Sequence, residues 1–345
     1  MLPTKAYAAQ TAGAPLGPWQ IERRDPKPND VLVDILYCGI CHSDIHFAHG
    51  QFPGAQFPAV PGHEIVGKVV QSGSAVTRHK VGDIVGIGCM VDACRHCVEC
   101  DDGEEQFCAG MVGTYAGVED GKPTYGGYSS RITVAEDFAL KISPKLPPAA
   151  AAPLLCAGIT LYSPLRHWKV GKGSKVAVIG LGGLGHMGVK LAVAMGADVT
   201  VFSTSEKKRA DAQRLGAHDF AVSTNPETFT RLAGKFDVIL NTVSAKVDYN
   251  AYISTLKRDG TLVLLGIPDG PVELDAFGLL FRRKNLGASI IGGIKETQEM
   301  LDFCAEHNIV SDIEMIRMDQ VNEAYERILK SDVRYRFVID MATLG

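Results

Sequence analysis

Between Gly39 and His46 the chain reads Gly-Ile-Cys-His-Ser-Asp-Ile-His. Six consecutive residues hold a soft metal ligand (Cys41), two imidazoles (His42, His46), a hydroxyl (Ser43) and an acid (Asp44). By itself this is a polar loop with a cysteine in it. Two later pieces give it meaning, Gly62-His63-Glu64 and Cys156. Two thiolates and an imidazole supply three protein ligands to zinc and leave a fourth position open, which separates a catalytic zinc from a structural one. Asp44 is suited to accept the free N–H of a ligating histidine and fix its tautomer. Glu64, beside His63, can approach the metal when substrate or water leaves.

A tighter set follows. Cys94, Cys97, Cys100 and Cys108 fall within 15 residues, with Gly103 to permit a sharp reversal. Four thiolates close a tetrahedral shell, so a metal there is structural. An iron–sulfur cluster competes with zinc, because cysteine runs with two-residue gaps bind those too. The neighbouring acids Asp101, Asp102, Glu104 and Glu105 argue against a nucleic-acid ribbon, which would be basic. Cys38, Cys89 and Cys304 read as small buried fillers.

The third constellation is Gly180-Leu-Gly-Gly-Leu-Gly, matching G-x-G-x-x-G at Gly180, Gly182 and Gly185, with Gly183 and Leu184 between. It follows an apolar run and opens a helical stretch from His186 to Met195, the context in which glycines bring backbone against a pyrophosphate. About 20 residues on, an acid would bond both ribose hydroxyls and repel a 2′-phosphate. Here the strand ends Ser203-Thr204-Ser205, followed by Lys207, Lys208 and Arg209. Small hydroxyls leave room and donate hydrogen bonds, and cations neutralise phosphate, so NADP is favoured over NAD.

Elements must position these groups. At 345 residues two domains are the natural expectation. The first stretch carries short Val/Ile/Leu runs (residues 31–37, 64–70, 83–87) punctuated by Gly, Pro and Asp, as a mostly β domain would. From Pro147 a helical stretch runs toward His167. From Lys175 near-continuous apolar runs (175–179, 198–202, 236–240, 261–265, 288–291) alternate with helix-like segments, the pattern of a doubly wound parallel sheet. A helix from Glu296 to His307 and a short β-α-β tail, expected to return to the first domain, complete the chain. A net charge of −4 gives no field for nucleic acid or a membrane surface. No run reaches the roughly 18 apolar residues of a membrane span, no signal-peptide pattern opens the chain, and nine cysteines without a disulfide framework suit the cytosol.

Residues 39–46, Pro61-Gly-His-Glu-Ile-Val-Gly, Leu155-Cys-Ala-Gly-Ile-Thr and the four-cysteine spacing together resemble the zinc-containing medium-chain alcohol dehydrogenases. The resemblance is strongest to their cinnamyl-alcohol-dehydrogenase-like branch of broad aldehyde reductases, and it covers essentially the whole chain. It implies an α/β protein of two domains. Residues 1–150 and 295–345 would form a GroES-like, mostly β catalytic domain with a structural zinc lobe at 89–110. Residues 151–294 would form a Rossmann cofactor domain. It implies two zinc ions per chain and NADP(H). Ser43 would take the proton from the alcohol, and His46 would exchange it with solvent. His42 would lie near the pyrophosphate, and Ser203, Ser205 and Lys208 would meet the 2′-phosphate. Thr160, Asn241, Thr242, Gly266 and Gly292 would line the nicotinamide side. Phe52 and Trp168 would neighbour the substrate, a small aldehyde or alcohol. A homodimer joined through the cofactor-domain sheets is implied, with Ala288-Ser-Ile-Ile as the edge, and neither nucleic acid nor membrane as partner. A zinc polyol dehydrogenase and a catalytically silent NADPH-binding protein are the rivals. The first would want an acid after the second strand, and the second a lost ligand or relay.

Overall fold

The computed structural model describes residues 1–52, 54–268 and 270–345. Two compact units emerge, Met1–Ile159 with Gly292–Gly345, and Thr160–Ile291.

The first unit is built on a seven-stranded sheet whose centre is Asp30–Gly39. This strand is buried on both faces through Val31, Leu32 and Val33, and its β-branched Val31, Val33 and Ile35 suit the pleat. Ile65–Ser72 lies antiparallel on one side of it and leads on to Ile84–Ile87 and Leu140–Lys141. Arg336–Asp340 lies antiparallel on the other side, itself pairing in parallel with Ile313–Arg317, so the tail does return to this sheet. Arg131–Ala135 covers the early half of the central strand. The register sets Cys38 opposite both Ile65 and Ile339. Two strands that the apolar runs did not announce, Leu2–Ala8 and Gly17–Arg23, form a separate antiparallel pair.

The second unit is a six-stranded sheet with every pairing parallel. In space the strands run Asp219–Val222, Asp198–Ser203, Lys175–Ile179, Phe236–Asn241, Leu256–Leu264, Asn285–Ala288. Numbered along the chain, that is 3-2-1-4-5-6, the dinucleotide-binding order with its reversal beside the first strand. Two expectations need correction. The edge strand is Asn285–Ala288, and the apolar residues Ile290 and Ile291 lie beyond it, Ile291 with a positive φ that leaves the pleat. The stretch from Pro147 to His167 is not one helix either. It breaks at Cys156 between Pro148–Leu155 and Ala157–His167 with a 54° bend, after Pro153 removes a backbone donor. No single helix among the described residues is long and apolar enough to cross a membrane.

Candidate metal centres and dinucleotide loop

The sheet of the first unit assembles its buried site from the ends of three neighbouring strands. At the end of the central strand, Gly39 donates to the Glu64 carbonyl (2.9 Å) and Ile40 to that of Phe337 (3.0 Å). This holds the Cys41 loop, the His63–Glu64 pair and Arg336 against one another. Gly39 is required here, because a Cβ would collide with the Glu64 carboxylate. Cys156 arrives from the helix break, and Gly86 and Gly88 leave just enough space for Leu155 beside it. The result is one buried group of Cys41, His63, Glu64 and Cys156, whose donor atoms all lie within 4.8 Å of one another.

Spacing tests whether zinc fits. Two sulfurs at about 2.3 Å from a tetrahedral zinc stand roughly 3.8 Å apart. The Cys41 and Cys156 sulfurs are 3.9 Å apart. This contact is the largest cause holding the Cys41 thiol well below its ordinary pKa, while Cys156 is pushed up. The fully buried Asp44 organises the rest. One oxygen accepts Cys41 N–H (2.8 Å), and the other accepts Gly62 N–H (2.9 Å) and contacts His63 Nδ1 (3.1 Å). Nε2 of His63 is thereby the nitrogen left for a metal. Burial pushes the Glu64 carboxyl up to about 7 against the opposing pull of Arg336. Arg336, 5% exposed, donates to Glu64 Oε1, while Glu64 Oε2 has no hydrogen-bond partner among the described residues. A buried, unpartnered carboxylate oxygen beside two thiols and an imidazole is what a cation site leaves behind.

Helix His42–Ala48 sorts the motif by face, with Cys41 at its N-cap. Asp44, Ile45, Phe47 and Ala48 are buried, whereas His42 and His46 are exposed and Ser43 is half-buried. Ser43 Oγ lies 3.8 Å from Cys41 Sγ, and His46 Nδ1 pairs with Gln51 Oε1 at 2.7 Å. Desolvation lowers the His42 pKa. Beside the metal group Tyr115 meets the His63 ring edge-on (5.3 Å) and stacks on Phe47 (4.4 Å), with Phe52 edge-on to both. Trp168 is elsewhere, in the second unit, packed over Gly287, where a Cβ would not fit.

The four cysteines of the second cluster also gather within 4.8 Å, with the Cys94 and Cys100 sulfurs 3.9 Å apart, again the tetrahedral zinc spacing. The Cys97 thiol carries a raised pKa and the Cys108 thiol a lowered one of about 7, the latter chiefly through a backbone donor at Cys94. His96 turns its Nδ1 to the Cys94 carbonyl at 2.5 Å.

In the second unit Gly180 takes a positive φ of 90° after strand Lys175–Ile179, and a Cβ on Gly185 would strike the Gly180 carbonyl. Gly182 faces open space, and helix Gly185–Ala194 starts without a side-chain cap, the His186 and Met187 amides donating to the Gly182 and Leu184 carbonyls (3.1 and 3.0 Å). Ser203, Thr204, Ser205 and Lys208 end or follow the adjacent strand Asp198–Ser203, at the same carboxyl edge of the sheet. The nearest acid, Glu206, is committed to Arg209. Thr242 donates to the Ile179 carbonyl (2.7 Å), and Asn241 donates to Val243 O (3.2 Å). Both shape the loop that Gly180 and Gly266 pack against, since a Cβ on either glycine would meet Val243. Thr160 and Gly292 are buried at the first residue of the second unit and at the point where the chain rejoins the first.

Sequence reasoning missed Arg336 and Tyr115. A basic residue inside an otherwise apolar strand, Arg336-Phe-Val-Ile, was the available signal for the former. Nothing marked Tyr115.

Comparison with known proteins adds the family. Residues 27–144 match the alcohol dehydrogenase GroES-like domain, and residues 183–306 match the zinc-binding dehydrogenase domain. The chain is 59% identical to NADP-dependent alcohol dehydrogenase C 1 of Mycolicibacterium smegmatis, covering 100% of this chain and 99% of that one. It is 54% identical to aldehyde reductase YahK of Escherichia coli over 99% of each. A cinnamyl alcohol dehydrogenase from Sorghum bicolor superposes with a TM-score of 0.96 at 42% identity, covering 99% of this chain and 98% of that one. Metal-donor spacing, sheet order and these full-length matches agree, and the chain belongs to the zinc-binding alcohol dehydrogenases with a GroES-like domain and a Rossmann-type domain.

Proposed function

We propose that the protein is a zinc- and NADP(H)-dependent oxidoreductase interconverting aldehydes and primary alcohols, running mainly as an aldehyde reductase. The buried Cys41–His63–Glu64–Cys156 group with its zinc-compatible spacing carries this reading. Its likeness over the full chain to an NADP-dependent alcohol dehydrogenase and an aldehyde reductase supports it. When bound, zinc polarises the carbonyl oxygen as a Lewis acid and NADPH supplies the hydride. Cys41, His63 and Cys156 hold the metal. Asp44 fixes the tautomer of His63 and the backbone of Cys41 at once. Glu64, steadied by Arg336, would be the carboxylate available to the metal beside those three ligands. Ser43 holds the proton exchanged with the alcohol oxygen, and exposed His46 trades it with solvent. Phe47, Phe52 and Tyr115 keep water from the His63 side. Gly180, Gly182, Gly183, Leu184 and Gly185 cradle the pyrophosphate with His42, and Ser203, Thr204, Ser205 and Lys208 take the 2′-phosphate. Cys94, Cys97, Cys100 and Cys108 hold a second, structural zinc within a lobe at 89–110.

Initial rates on one aromatic and one short aliphatic aldehyde, with NADPH and NADH side by side, test the reading. NADPH is expected to be strongly preferred. A preference for NADH would overturn the 2′-phosphate assignment, and no turnover with either would overturn the reductase.

The protein acts in the cytoplasm, a reducing compartment that suits nine free cysteines. It acts as a homodimer whose contact is the Asn285–Ala288 sheet edge and the segment before it. Phe277, Leu280 and Phe281 there are 67%, 76% and 73% exposed, an apolar patch that a second copy would cover. Phe281→Asp is expected to convert the dimer to monomer in light scattering behind size exclusion. An unchanged mass would remove this surface from the interface.

A further inference from the structure

Arg23 ends the strand Gly17–Arg23 and is 8% exposed. Its guanidinium turns every nitrogen to one stretch of chain. Nε donates to the Arg131 carbonyl (3.1 Å), Nη1 to the Tyr125 carbonyl (2.7 Å), and Nη2 to the Gly126 carbonyl and Ser129 Oγ (2.9 Å each). Those partners are three carbonyls and a hydroxyl, none of them an acid. Burial is the main cause that brings the Arg23 pKa down to about 10. Keeping a cation at such a place is costly, so a role for its geometry is the natural account.

The stretch that Arg23 clamps lies against the chain leading into His63. Gly126, Gly127 and Tyr128 donate to the carbonyls of Val60, Gly62 and Pro61 (2.8, 2.8 and 2.9 Å). Two successive peptide groups therefore bridge the guanidinium to that chain. The Tyr125–Gly126 peptide accepts from Arg23 through its carbonyl and donates to Val60 through its N–H. The Gly126–Gly127 peptide accepts from Arg23 and donates to Gly62. A cation at the carbonyl end polarises each peptide and strengthens the bond its N–H makes. Gly62 in turn donates to Asp44 Oδ1 (2.9 Å), the oxygen that also contacts His63 Nδ1 (3.1 Å). The contact has no slack. Gly62 has a φ of 103°, and a Cβ there would come within 2.8 Å of Gly127 N and of Cys38 Sγ.

We propose that Arg23 is a positioning residue for the metal centre, fixing the His63 ligand through these two bridging peptide groups. The proposal rests on the zinc reading of the Cys41–His63–Cys156 group.

The test uses the full-length protein with zinc kept in the four-cysteine cluster and cobalt(II) titrated into the Cys41 group, where thiolate ligands give the ion strong visible absorption. In Arg23→Met, hydrogen exchange at Gly126, Gly127 and Tyr128 is expected to quicken. The cobalt dissociation constant is expected to rise at least roughly tenfold, as when the outer partner of a metal ligand is lost, with altered visible bands and the four-cysteine zinc retained. Arg23→Lys keeps the charge but lacks the planar fork, so it falls between the two in each readout. It also decides the matter should the methionine variant fold poorly. Faster exchange with unchanged cobalt affinity and spectrum would overturn the proposal, as would unchanged exchange. Release of both metals together would show a general loosening and overturn it too. If the wild type takes up no cobalt at the Cys41 group, the zinc reading falls and the proposal with it. If the wild type loads and Arg23→Met matches it, the proposal alone falls.

Discussion

Cys156→Ala is expected to lose one of the two bound zinc equivalents and to lower kcat/KM by at least roughly 10²–10³-fold, the range seen when one charge-stabilising group leaves an active site. The sulfur at 156 stands 3.9 Å from that of Cys41, deep in the first unit, and the helix break at 156 exists at the one place that brings it there. Without it, Cys41 and His63 remain with Glu64, whose carboxylate is already engaged by Arg336. Three donors of that kind bind zinc more weakly, and no closed shell replaces them. The four-cysteine lobe shares no ligand with this group, so its zinc should stay. NADPH binding should also persist, because the Gly180 loop belongs to the other unit. Metal analysis, steady-state rates and NADPH titration on one preparation separate these effects. Two zincs with an unchanged rate would sink the catalytic-zinc account. Loss of NADPH binding as well would mean that the substitution damaged more than the metal site.

The metal ligands were legible because few residue types can do their work. Thiolate and imidazole donors have no common substitutes, and their glycine neighbours mark where backbone must pass close. The dinucleotide loop was legible for the same reason, since Gly180 needs its positive φ and Gly185 has no room for a Cβ. Asp44 could be given a histidine partner from its chemistry. That it also holds the backbone of Cys41 and Gly62 depends on three-dimensional register. The break at Cys156 was hidden by an alanine-rich, helix-favouring stretch, in which Pro153 and Gly158 beside the break were the contrary signs. The edge strand was misplaced because Ile290 and Ile291 look like sheet residues but follow the end of the pairing. The role of Arg336 could not be read locally. Its partner is 272 residues earlier, and no local rule connects a C-terminal strand to a histidine-glutamate turn.

That distant pair carries the second large effect. Arg336→Met is expected to destabilise the first unit by about 3–5 kcal/mol, the cost of leaving one member of a buried ion pair alone. Glu64 is fully buried, its Oε1 bonded to Arg336 and its Oε2 without a partner among the described residues, so bulk water does not take over the charge. Burial works against the Arg336 cation, yet Glu64 and the thiols of Cys41 and Cys156 more than offset it and hold its pKa above the ordinary arginine value. Zinc would bring two positive charges to a donor set with two thiolates and one carboxylate, and Arg336 supplies the charge still lacking. The substitution should therefore also weaken zinc retention on dialysis against a chelator. The double variant Arg336→Met with Glu64→Leu removes both charges and keeps apolar volume, so it should recover most of the lost stability while leaving the metal with its three remaining ligands. Denaturant unfolding of wild type, both single variants and the double variant measures the coupling directly. A double variant no more stable than Arg336→Met alone would show that the arginine acts through its packing rather than through the Glu64 charge.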